Sequence, residues 1–178
     1  NLVKTGFLQI YTLHQPYILH IATHGFWSES GTKATSGFRL FNAMANSGLL
    51  FTDVVNSYNA PQFADTYDGV LTAYEAQNID LANTELVVLS ACETTLGYMD
   101  AGEGVYGLQR AFRVAGASSI MTSLWKVDDK ATQDFMTTFY QQFLSTGNKY
   151  AAFVKEKKSI KEKYKDPYYW GAFVMTGQ

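Results

Sequence analysis

The chain has 178 residues, with 14 Lys plus Arg against 16 Asp plus Glu and a formal net charge of -2, so it is one domain long and lacks the basic excess of a phosphate-backbone binder. Apolar residues make up 47% and charged residues only 17%, against a usual charged share of about 25%; this excludes disorder and fits a surface partly covered by partners or by further chain. The single cysteine excludes an internal disulfide framework. No stretch reaches the ~20 apolar residues of a membrane span, and no secretory leader pattern is present. A cytoplasmic protein with no membrane contact is expected. Because the chain starts at Asn1 and not at Met, we expect a fragment of a longer protein, with residues 1–178 forming one domain.

In chain order, Val3, Phe7, Ile10 and Tyr11 have helical spacing, and Pro16 ends that pattern. Residues 17–22 form an apolar run expected of a strand buried on both faces of a parallel sheet. Residues 24–48, rich in Gly, Ser, Thr and Asn, predict loop with a short extended piece at 38–41. Thr72 followed by Glu75 is a capping-box pattern and predicts a short helix. Residues 86–90 predict a second buried strand. Val105, Leu108, Phe112 and Ala115 form a helical stripe ended by Gly116. Residues 119–125 predict a third strand, and Asp128 or Asp129 caps a helix with Phe135, Met136, Phe139, Tyr140 and Phe143 on one face. Gly147 ends it. Residues 149–165, with seven lysines and two glutamates, predict a solvated helix with Glu–Lys pairs, and residues 169–175 a last strand. Strands alternating with helices predict an α/β fold with a mostly parallel sheet.

Ligands of such sheets bind beyond the carboxyl ends of the strands, where His24 and Cys92 follow the first and second predicted strands. A thiol needs a base to become a nucleophile, and imidazole supplies one. The N–H groups of Gly25 and Cys92 would serve as an oxyanion hole. The competing reading is a buried structural cysteine, and these residues alone leave both open. Glu93 follows Cys92 and would shift the thiol in a direction the sequence does not specify. Gly102, Gly104 and Gly107 match a dinucleotide pattern, but that fingerprint requires a strand directly before it; a loop leading into a helix is the simpler reading. His20 reads as a core histidine with its hydrogen bonds satisfied, and His14 as a helix-end residue. Too few ligating residues stand at suitable spacing for a metal site. Neither a metal nor an organic cofactor is expected, and direct binding of nucleic acid is not expected.

His20-Ile21-Ala22-Thr23-His24-Gly25-Phe26 and Leu89-Ser90-Ala91-Cys92-Glu93-Thr94, with Gly97, resemble the CHAT family of caspase-like cysteine peptidases, which is related to separase. So do Gly102-Glu103-Gly104, the segment Gly107 to Phe112, Ala115-Gly116-Ala117, Ser123-Leu124-Trp125, Asp128-Asp129 and Tyr169-Trp170, in one order along nearly the whole chain. The resemblance implies a caspase-like three-layer sandwich, a catalytic pair His24 and Cys92, and tetratricopeptide repeats ahead of the domain. It implies an endopeptidase acting on protein or peptide substrates, latent until an activating partner engages it. Some related peptidases hold an acidic residue two positions before the nucleophile; Ser90 stands there, so that route to basic specificity is absent. Asp129 is then the candidate for contacting a basic P1 side chain, the one just before the scissile bond, while Asp128 and Asp129 also read as helix caps. Trp125, at a strand end, reads equally as cleft or core. The alternative function is a non-catalytic interaction module using the same cleft. Oligomeric state is not legible.

Overall fold

A computed structural model describes residues 4, 6–8, 14–27, 44, 47–52, 54, 69–90 and 101–177. Its elements in order are β1 (Ile18–Ile21), β2 (His24–Trp27), β3 (Ser47–Leu50), β4 (Val70–Thr72), α1 (Ala73–Ala76), β5 (Leu86–Leu89), α2 (Ala101–Val114), β6 (Ser119–Ser123), α3 (Asp129–Thr146), α4 (Lys149–Lys163), α5 (Pro167–Trp170) and β7 (Phe173–Gly177).

The main sheet has the order β1-β5-β6-β7. β1, β5 and β6 are parallel, in register Ile18 to Leu86 and Leu86 to Ser119, and β7 runs antiparallel to β6. All four residues of β5 are buried, because both faces of the sheet are covered and the side chains alternate between them. On one face Ile21, Val87, Leu89 and Ile120 pack with Phe7, Leu49, Leu71, Leu108 and Phe112. On the other, Leu86, Val88 and Met121 pack with Phe135, Phe139, Phe153 and Ile160. Phe173 stacks on Phe135 with ring centroids 4.1 Å apart. The chain is therefore α/β in three layers, helix, mixed and mostly parallel sheet, helix.

A second, antiparallel sheet has the order β2-β3-β4. This corrects the loop expected from residue 24 onward: only Ala22 and Thr23 separate β1 from β2, and His24 opens a strand opposite Leu50. The extended piece expected at 38–41, and Val3, Ile10 and Tyr11, lie outside the described residues.

Local chemistry sets the helix ends. Thr72 caps α1, accepting from the Glu75 N–H at 3.1 Å, while the Glu75 carboxylate accepts from the Thr72 N–H at 2.9 Å. Asp128 caps α3, its Oδ1 accepting from the N–H groups of Lys130 at 3.0 Å and Ala131 at 3.1 Å. Gly147 ends α3 with φ +69°, a left-handed conformation that favours glycine. Gly116, just past α2, has φ +109° and would place a Cβ 3.0 Å from the Ala82 backbone nitrogen, so only glycine fits that crossing.

Three further expectations are revised. The predicted strand at 169–175 is split, because Asp166 caps the turn α5 with Pro167 at its start, and the strand begins at Phe173. Gly102, Gly104 and Gly107, expected in a loop leading into a helix, all lie within α2 itself, and the dinucleotide pattern already set aside lacks the strand-to-helix turn it needs. Finally, α4 is not simply a solvated face: Lys149 and Glu156 are buried, with Lys149 Nζ bonded to the Glu85 carboxylate and to Ser118 Oγ. Among the described residues no helix is long and apolar enough to cross a membrane.

Candidate active site

The parallel strands β1, β5 and β6 point their carboxyl ends the same way. A cavity of about 310 Å³ opens there, lined by Thr23, His24, Ser90, Ser123, Lys126, Val127, Asp129 and Thr132. Each wall has a clear origin. Ser90 directly follows β5, and its N–H donates to the Ile21 carbonyl at 2.9 Å, extending the β1–β5 ladder by one step. Ser123 ends β6. Asp129 and Thr132 lie one turn apart at the start of α3.

His24 reaches the cavity from the second sheet. It is exposed, and Thr23 before it is tied down by its hydroxyl, which donates to the Leu50 carbonyl. Gly25, next along β2, is buried opposite Leu49. Of the other residues singled out from sequence, Ser90 and Asp129 border the same cavity as His24. Trp125 does not line it; its indole N–H donates to the Tyr168 carbonyl at 2.9 Å, and its ring lies over Gly171. Cys92 and Glu93 lie outside the described residues, and so does the Cys92 N–H.

Capping by Asp128 leaves the Asp129 carboxylate without a hydrogen-bond or ion-pair partner among the described residues. Thr23, Ser123, Lys126, Val127 and Thr132 are cavity residues that the sequence reading did not select. Ser123 was open to the same end-of-strand argument as His24 and Cys92, and Thr132 to the three-residue spacing from Asp129.

His20 is not a core histidine. It remains partly open to solvent on the α3 face of β1, yet both ring nitrogens are engaged. Nε2 is 3.1 Å from Ser90 Oγ, and Nδ1 is 2.9 Å from the Tyr140 hydroxyl on α3. Partial burial lowers the His20 pKa below its ordinary value and pushes Tyr140 up to about 12, so a neutral imidazole meets a protonated phenol.

A family model described as "CHAT domain" matches residues 3–178. The chain belongs to the CHAT domain family. That family is caspase-like and related to cysteine peptidases, in agreement with the α/β architecture. Among curated proteins, this CHAT chain is 27% identical over 184 residues to Tetratricopeptide repeat protein 28 of Mus musculus. It is 27% identical over 183 residues to the protein of the same name from Homo sapiens. In both cases the match covers 93% of this chain and 7% of the relative, so the CHAT chain spans a small part of the curated proteins it matches.

Proposed function

We propose that this CHAT domain is a cysteine endopeptidase in which Cys92 is the nucleophile and His24 the general base. The observation that supports this reading best is the shared cavity: His24 borders it from one sheet, and Ser90, two positions before Cys92, borders it from the other. The Cys92 thiol passes its proton to His24, and the thiolate forms a bond to the scissile carbonyl carbon. The Gly25 and Cys92 N–H groups stabilise the oxyanion. His24 returns the proton to the leaving amine as the C–N bond breaks, then takes one from the water that hydrolyses the thioester. Asp129 contacts a cationic P1 side chain, and Ser90 offers a hydroxyl to the same pocket.

The substrate is a protein or peptide, and the domain is latent until a partner engages it. It sits in the cytoplasm, where a lone thiol stays reduced. In the whole protein tetratricopeptide repeats precede it, as the name of its curated relatives suggests.

The test is alkylation by a panel of peptidyl electrophiles read by intact mass, which is unambiguous because the chain has 1 cysteine. Rapid labelling that falls by roughly a hundredfold or more in His24→Ala, the lower range for general-base catalysis, is the expected result. Slow labelling, equal in both proteins with and without candidate partners, would remove the peptidase reading and favour an interaction module.

A further inference from the structure

Ser90 is the cavity residue nearest in sequence to Cys92, and its hydroxyl does not stand alone. The Nε2 of His20 lies 3.1 Å from it, and the other ring nitrogen lies 2.9 Å from the Tyr140 hydroxyl. The three groups come from three elements: the end of β5, the middle of β1 and the middle of α3. The His20 and Tyr140 rings are also in contact, with centroids 5.7 Å apart, and Tyr140 is braced edge-on by Phe139 at 5.3 Å.

A neutral imidazole has one donor and one acceptor nitrogen, and the partner of one determines the proton on the other. Tyr140 keeps its phenolic proton, and its hydroxyl can donate to Nδ1 or accept from it; in the tautomer the relay requires, it donates. The ring proton then sits on Nε2 and is donated to Ser90 Oγ. A serine oxygen that accepts from His20 keeps its own O–H free to point elsewhere, and the open side is the cavity that His24 and Asp129 also line.

We propose that His20 is a positioning residue that acts through Ser90. Held by Tyr140, it fixes the Ser90 hydroxyl as a hydrogen-bond donor facing the substrate pocket. This rests on the peptidase reading for what enters the pocket, but the relay itself is a property of the fold. Its chemical consequence is a preference for substrates that place an acceptor, a carbonyl or hydroxyl oxygen, beside Ser90. His20 touches no reacting atom.

Two measurements test it, and they fail separately. First, long-range proton–nitrogen correlation of uniformly labelled protein reads the His20 tautomer without any activity. The expected spectrum shows a proton on Nε2 in the wild type and a mixture of tautomers in Tyr140→Phe. A proton on Nδ1, or a mixture already present in the wild type, overturns the relay. Second, the rate of Cys92 labelling by a peptidyl chloromethyl ketone with lysine at P1 is measured in His20→Leu, Ser90→Ala and the double variant, with melting temperatures confirming that each is folded. Losses of about tenfold in each single variant and no further loss in the double variant are expected, because residues acting as one unit are not additive. His20→Gln, which keeps a donor near the Nε2 position, restores most of the rate. Losses that multiply, or a His20→Leu protein that labels like the wild type, overturn the proposal. If labelling of the wild type proves independent of His24, the peptidase reading falls and the tautomer measurement alone decides the relay.

Discussion

The division between Asp128 and Asp129 shows how adjacent, chemically identical side chains take different roles. Helix geometry uses the first as N-cap, so its carboxylate is committed to two backbone N–H groups. The second falls in the first turn and borders the cavity. On the proposed peptidase reading, an uncommitted carboxylate on the cavity that His24 also lines would favour a cationic P1 side chain, with Lys126, another lining residue, moderating the field. A partly exposed ion pair contributes up to about 1 kcal/mol, roughly a fivefold change in rate. Asp129→Asn is therefore expected to lower the preference for lysine over glutamine at P1 by about that factor, measured as the ratio of labelling rates with two otherwise identical electrophiles. An unchanged ratio would remove Asp129 from the pocket's selectivity. His24, Ser90 and Asp129, which the structure brings to one cavity, were legible in sequence by different routes: His24 as a residue just beyond an apolar run, Ser90 by its place two positions before Cys92, and Asp129 as an acidic residue at a helix start. His20 was misread, because a histidine inside an apolar run looks buried when its strand is taken to be covered on both sides. Here β1 lies at the end of the main-sheet order, and Tyr140 covers only part of the ring.

At the scale of elements, the parallel strands of the main sheet were legible because they lie in short runs dominated by apolar residues, broken only by His20 in β1 and by Ser119, Thr122 and Ser123 in β6. The small sheet was not. Its strands His24–Trp27, Ser47–Leu50 and Val70–Thr72 are three or four residues long, two contain glycine, and they pair across long intervening segments. No period of two can emerge from runs so short. α5 announces itself by Asp166 before Pro167, a helix-start signature, but it is a single turn that the following apolar residues mask. α4 was misjudged for a different reason, since composition cannot tell which charged residue turns inward. Glu156 turns toward α3; burial, with a smaller push from Asp134 and opposition from Lys163, raises its pKa to about 7. One of its oxygens is buried without a partner. Asp134 itself is held well below the usual carboxylate range by hydrogen bonds from Lys163, Tyr164 and Lys130. Between the unfolded value of 4.5 and about 7, folded Glu156 retains a proton that the unfolded chain has released. Rising pH across that window therefore costs stability. His20, with its lowered pKa, acts in the opposite sense nearby, so the informative quantity is a difference. Relative to the wild type, Glu156→Gln is expected to gain melting temperature by several degrees between pH 5 and pH 7.5 and to hold that gain above it. A constant offset across the series would show that Glu156 does not titrate within the α3–α4 packing.

For the whole molecule, the sheet is shared by two apolar layers on opposite faces. Phe112 is fully buried in one and Phe135 in the other. Because alternate residues of the same strands β5 and β6 feed both layers, neither can melt while the other keeps its strands ordered. Phe112→Ala and Phe135→Ala are each expected to cost about 3–5 kcal/mol, and each should lower one common transition. Far-ultraviolet and near-ultraviolet circular dichroism should trace the same melting curve in the wild type and both variants. Separate transitions, or a variant that shifts only one probe, would show two independent cores.

The two residues Ala22 and Thr23 between β1 and β2 have a mechanical meaning. They carry the chain from the sheet that builds Ser90, Ser123 and the base of α3 to the sheet that carries His24. The histidine and the walls facing it are therefore carried by two sheets, joined by that short link, steadied by the Thr23 hydroxyl on Leu50, and by the core in which Leu49 and Leu71 of the small sheet pack with Val87, Leu89 and Ile120 of the main one. The reach from imidazole to pocket is thus set by the fit of that shared core as much as by the link, so a change of volume far from the cavity is felt at its mouth.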